Sequence, residues 1–112
     1  MVETMLKNKM YQECIEVCFE CAEICERCDN ECLSKSNTEE MNNCLTRDCA
    51  DICNLAGQFM SRDSEFATEI CSICSKICIE CKEECSKHSE SHFRDCVEVC
   101  NRCSIECKTM AE

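Results

Sequence analysis

The sequence predicts an all-α fold, an antiparallel up-down-up-down four-helix bundle with a cysteine-lined core, in a single domain over residues 1–112. Three observations predict it. Eighteen residues are cysteine, and most successive cysteines stand three or four residues apart, the rhythm that keeps one helix face turned toward a partner. The chain has no proline, one glycine (Gly57), four Phe and one Tyr, which argues against a turn-rich β fold. The stretches between periodic segments are short and polar, which makes successive helices antiparallel.

The first helix is expected from near Glu3 to Leu33. Cys14, Cys18, Cys21, Cys25, Cys28 and Cys32 form its stripe, widened by Met10, Val17 and Ile24. Glu13, Glu16, Glu20, Glu23 and Glu26 take the outward face as a solvated surface. After Ser34-Lys35-Ser36-Asn37, either Ser36 or Asn37 is expected to cap a second helix, with Glu39 or Glu40 three residues on. That helix runs to about Met60 and carries Cys44, Cys49 and Cys53. Gly57 permits a close helix approach or a slight bend.

Ser61-Arg62-Asp63-Ser64 is the next break, with Asp63 the expected N-cap of a third helix that ends near Lys87. Its stripe is Cys71, Cys74, Cys78, Cys81 and Cys85. His88-Ser89-Glu90-Ser91 leads into the last helix, about His92 to Met110, with Cys96, Cys100, Cys103 and Cys107. The topology gathers Cys32, Met41, Cys44, Cys85, His88, His92 and Phe93 at one end of the bundle. At the other end Leu55, Ala56, Phe59, Met60, Met5, Leu6, Phe66, Ile70 and Met110 are expected to form an apolar plug.

The formal charge of −11, from 23 acidic against 12 basic residues, argues against a nucleic-acid partner. Residues Met1 to Met10 lack the apolar core of a secretory signal and no run reaches transmembrane length, so a soluble cytoplasmic protein is expected. No Ser-His-Asp arrangement, phosphate loop or buried carboxylate pair is evident, and no catalytic site is expected.

Thiols on regular helices are poor disulfide staples, since partners at i, i+4 lie near the limit of disulfide reach. Eighteen oxidisable side chains are also a poor substitute for Val or Leu as filler. Metal ligation remains. Structural zinc uses closed four-ligand knuckles, iron–sulfur clusters use local cysteine runs, and di-iron bundles need inward carboxylates. Cu(I) is soft and accepts two or three thiolates. CxxxC pairs such as Cys14/Cys18, Cys21/Cys25, Cys74/Cys78 and Cys103/Cys107 are placed to chelate it within one helix. If each thiolate bridges two ions and each ion takes two thiolates, about one Cu(I) per cysteine leaves the core neutral, whereas Zn(II) in four-thiolate sites leaves negative charge buried before any bridging. A disulfide-bearing or thiol-redox helical protein and a general soft-metal (Zn or Cd) buffer stand as alternatives.

Three stretches carry a resemblance: Cys49-Ala50-Asp51-Ile52-Cys53, the ladder from Ile70 through Cys85, and Lys87-His88 with His92. With them the chain resembles the cytosolic bacterial copper storage protein family, from about residue 10 to Met110. The resemblance implies storage of many Cu(I) ions inside the bundle, the matching cysteines as ligands, and a homotetramer. It implies that His88 and His92 help copper enter at the open end; the residues alone allow ordinary loop and capping histidines. A copper chaperone is a candidate partner. Met41 near that end is read first as core filling and second as a thioether that passes copper.

Two positions depart from the family pattern. Cys44 precedes Cys49 by five residues where seven is usual, which on an unbroken helix places it about 140° from the Cys49 face. Phe93 falls where the fourth stripe, projected back three from Cys96, would place another cysteine. It is expected to narrow the opening instead of binding metal.

Overall fold

In the computed structural model the backbone of residues 2–34 and 43–112 is described, with side chains at residues 9, 11–31 and 45–112. The helices are α1 (Val2–Ser34), α2 (Asn43–Ser61), α3 (Ala67–Cys85) and α4 (Ser91–Ala111), and no strand occurs among the described residues. Each packs against two neighbours in the cyclic order α1, α2, α3, α4, giving a rod of 54 × 19 × 17 Å. Sulfur contacts fix the directions. Cys14 meets Cys107, Cys18 meets Cys103 and Cys25 meets Cys96, so α1 and α4 run oppositely. Cys49 meets Cys78 and Cys53 meets Cys74, so α2 and α3 do too.

The three-four rhythm turns every described cysteine inward, each at 1% exposure or less. Val17, Ala22, Ala50, Ala56 and Val99 flank the sulfurs and complete the buried core. The small volume of the thiols lets the helices approach, and two further devices assist. The Ser75 hydroxyl donates to the Ser104 carbonyl at 2.9 Å across the α3–α4 seam. At Gly57 an added Cβ would lie 2.6 Å from the Phe19 ring, so glycine lets that ring lie against α2 where it does. The five glutamates from Glu13 to Glu26 face solvent as expected, and Glu20 pairs with Arg102 at 2.8 Å.

The breaks differ in detail from the sequence reading. Asp63 is not the N-cap of α3. Its backbone is left-handed (φ 52), its N–H donates to the Met60 carbonyl, and the Ser64 N–H donates to the Phe59 carbonyl. These two bonds are the Schellman closure of α2, and Asp tolerates the left-handed region better than most residues. α3 then starts at Ala67 behind Phe66, with no side-chain cap. It ends at Cys85, two residues before the expected Lys87. The cap expected at Ser36 or Asn37 lies outside the described residues, as does Met41.

Among the described residues, the plug at the end opposite the histidines differs from the expectation in its members. Met60, Ala56 and Met110 are buried and Phe59 and Ile70 half-buried, and Tyr11 and Ala67 join them. Leu55 and Phe66 instead face outward, at 37% and 51% exposure. The side chains of Met5 and Leu6 lie outside the described ones.

Candidate metal centre

The inward sulfurs form one column. Neighbouring Sγ atoms stand 3.5–4.0 Å apart, within helices (Cys21–Cys25 3.9 Å, Cys96–Cys100 3.8 Å) and across them (Cys18–Cys107 3.5 Å, Cys53–Cys103 3.8 Å). A disulfide would need about 2.05 Å, and these are free thiols. A metal–sulfur bond of ~2.3 Å separates tetrahedral sulfurs by about 3.8 Å and trigonal ones by about 4.0 Å. The column is therefore spaced for metal–thiolate coordination with little movement.

Several groups of four sulfurs lie within 4.8 Å of one another, and five of them run in series along the axis. Cys18, Cys74, Cys103 and Cys107 share two members with Cys53, Cys74, Cys78 and Cys103. That group shares Cys53 and Cys78 with Cys21 and Cys49, which in turn share with Cys25 and Cys100. The series ends in Cys25, Cys81, Cys96 and Cys100. Every step keeps two sulfurs in common, so these are not isolated four-ligand cages. Beyond the series, Cys14 lies 3.7 Å from Cys107 at the plugged end. At the other end Cys85 lies 3.6 Å from Cys96 and 4.0 Å from Cys81, and Cys28 interacts with Cys85 and Cys96.

Proton occupancy in this column is set by neighbouring thiols. A hydrogen bond from Cys100 holds the Cys49 thiol well below the ordinary thiol range, and one from Cys107 does the same for Cys103. The reverse role pushes Cys21 up, through Cys100, and Cys107 up, through Cys103, with burial adding in the same direction. A thiolate in the column is thus stabilised by keeping its neighbours protonated. Full ionisation of so many adjacent buried sulfurs requires cations among them.

The histidine end is built around Phe93, which is buried at 3% exposure. The His88 ring stacks on it at 4.5 Å between centroids, and the His92 ring lies against it at 4.3 Å, tilted by 39°. His88 is set by the turn after α3, where its N–H donates to the Cys85 carbonyl at 3.1 Å. His92 Nε2 is buried and has no hydrogen-bond partner among the described residues. His92 and Cys28 both line a cavity of about 600 Å³ between α1 and α4, whose lining also includes Glu31, Glu90, Asp95 and Arg27. An imidazole and a thiol on one cavity wall are a donor set suited to receiving a soft cation.

A profile described as copper storage protein matches residues 7–112. The chain belongs to the copper storage protein family. It is 42% identical over 106 residues to the uncharacterised cysteine-rich protein YhjQ of Bacillus subtilis (strain 168), covering 92% of this chain and 98% of that protein. The solved Cu(I)-bound copper storage protein BsCsp3 superposes with a TM-score of 0.87 at 40% identity, over 92% of this chain and 99% of that one. A cytosolic copper storage protein from Streptomyces lividans, solved during copper loading with five coppers, superposes at 0.89 with 28% identity, over 95% of each chain.

Within this copper storage bundle, sixteen of the eighteen cysteines expected as ligands are brought together on the axis. Cys32 and Cys44 lie on the described backbone of α1 and α2, with side chains outside the described ones. Of the four CxxxC pairs singled out, Cys21/Cys25, Cys74/Cys78 and Cys103/Cys107 are in sulfur contact at 3.9–4.0 Å. Cys14 and Cys18 are instead joined through Cys107, at 3.7 and 3.5 Å. One buried polar pair was not anticipated: the Thr46 hydroxyl donates to Asp29 at 3.3 Å between α1 and α2. Its signal was the seven-residue flank Ile15, Ala22, Asp29 beside the cysteine stripe.

Proposed function

We propose that the protein stores Cu(I), many ions per chain and about one per cysteine, on thiolates lining the bundle core, and that ions enter at the His88/His92 end. The observation that carries this reading is the series of four-sulfur groups in which each shares two sulfurs with the next. Shared sulfurs suit a soft monovalent ion of low coordination number: where each ion takes two thiolates and each thiolate bridges two ions, one ion per cysteine leaves no net charge in the buried core. Divalent zinc in four-thiolate sites carries buried negative charge unless every sulfur is shared, and is then balanced at only one ion per two cysteines. The same sharing lets an ion move along the axis while keeping two ligands throughout. Each thiol converted to thiolate releases a proton, so loading is proton-coupled.

The buried, unpartnered Nε2 of His92 and the stacked His88 support the direction of loading. The opposite end offers Met60, Met110 and Tyr11, which fill space. The protein holds its cargo and performs no reaction on it. A cytoplasmic location accords with the relative described as cytosolic, and no helix among the described residues is long and apolar enough to cross a membrane. Exposed Ile73, Ile79 and Ile105 accord with assembly into the expected homotetramer, and a copper chaperone is the expected donor. Anaerobic titration of the reduced protein with Cu(I), read by native mass spectrometry, tests the reading. Filling toward one ion per cysteine is expected; saturation at a few ions per chain, or equal filling by Zn(II), would sink it.

A further inference from the structure

Phe93 occupies a seam position of α4, three residues before Cys96, in register with Cys100, Cys103 and Cys107. A ring therefore stands where the rhythm calls for sulfur. Metal-binding histidines are ordinarily oriented by a hydrogen bond on the nitrogen that does not bind the metal. Among the described residues no hydrogen bond to either imidazole side chain is found, and His92 Nε2 is buried without a partner. What both imidazoles have in common is Phe93, at 4.5 Å and 4.3 Å. Phe93 is itself held by burial and by the bond from its N–H to the Glu90 carbonyl at 3.0 Å.

We infer that Phe93 is the positioning residue of the loading end: its buried ring orients His88 and His92 for transfer of Cu(I) to the sulfurs of Cys28, Cys85 and Cys96. The inference rests on the proposed direction of loading and extends it. Contact with the ring, stacked for His88 and tilted for His92, restrains both imidazoles without engaging a ring nitrogen. An imidazole without a hydrogen-bonded partner is also a weaker ligand than one so anchored, which favours handing the ion on over keeping it. Phe93 contributes no metal ligand, so it acts on rate and not on capacity.

The test is a kinetic cycle in anaerobic stopped flow, with Cu(I) supplied as a chromophoric chelate and the reduced protein in excess. Far-UV circular dichroism and native mass spectrometry check folding and capacity for each variant. Phe93→Leu, which fills the space without a flat face, is expected to slow loading about five- to tenfold, the scale of lost aromatic pair contacts. Phe93→Tyr, which keeps the ring, is expected to load at the parental rate. In a His88→Ala/His92→Ala background, Phe93→Leu is expected to add no further slowing. Parental loading by Phe93→Leu, or the same slowing with and without the histidines, overturns the assignment. If the double histidine variant alone loads at the parental rate, the direction of loading fails with it. That outcome is separable from one in which the histidines matter and Phe93 does not.

Discussion

The two ends of the bundle terminate the same sulfur column in opposite ways. One end closes on Tyr11, Met60, Ala67 and Met110, all buried. The other carries a ring, Phe93, in contact with two imidazoles and beside a cavity lined by charged residues. Between them the sulfurs repeat almost without change of spacing. A uniform interior has no direction of its own, so under the proposed direction of loading the ends supply it: apolar side chains close the bundle at one, and two imidazoles receive the ion at the other.

Filling the column should produce the largest effect. The folded array offers each Cu(I) several thiolates at once and so binds it more tightly than the unfolded chain, and loading is expected to raise the thermal midpoint by roughly 15 °C, taking ~4 kcal/mol of differential linkage. Calorimetry of the reduced apo and loaded forms checks it, and an unchanged midpoint would place the ions outside the core. Next comes the plugged end. Met60→Ala is expected to destabilise the apo protein by about 2–5 kcal/mol in urea unfolding, with no change in loading rate.

The histidine end should behave in the opposite sense. Replacing His88 and His92 with Ala is expected to slow loading by about tenfold, roughly 1.4 kcal/mol in barrier height, while capacity and stability hold. A matching slowdown from Met60→Ala would erase the distinction between the ends. The smallest effects lie on the outside. Gly57→Ala must displace the Phe19 ring, which is 39% exposed and can move, at a cost of about 1 kcal/mol. Breaking the exposed Arg102–Glu20 pair by Glu20→Gln is expected to cost under about 1 kcal/mol. Chemical denaturation measures both.

The core was legible in the sequence because a helix of fixed period converts spacing into direction: Cys14 to Cys28 and Cys71 to Cys85 had one face available to them. Properties that depend on the register between helices were not legible. Asp29 and Thr46 meet because α1 and α2 align at one particular offset, which spacing within either helix does not set. Asp63 shows a different limit. Asp favours both a helix start and a left-handed helix stop, and the two carbonyl bonds that choose between them belong to the backbone of α2. Leu55 and Phe66 looked like plug residues by composition, yet they point outward, leaving Tyr11 and Ala67 to complete the closure. Phe93 was legible as a break in the stripe with His92 beside it, but its contact with His88 arises only from the tight turn between α3 and α4.

The most direct measurement is anomalous diffraction at the copper edge from crystals of the fully Cu(I)-loaded protein. The expected result is a string of more than five copper peaks along the bundle axis, between Cys14 and Cys107 at one end and Cys28, Cys85 and Cys96 at the other, with neighbouring ions sharing sulfurs. Peaks confined to separate four-sulfur sites, or to the surface carboxylates, would contradict a continuous internal store.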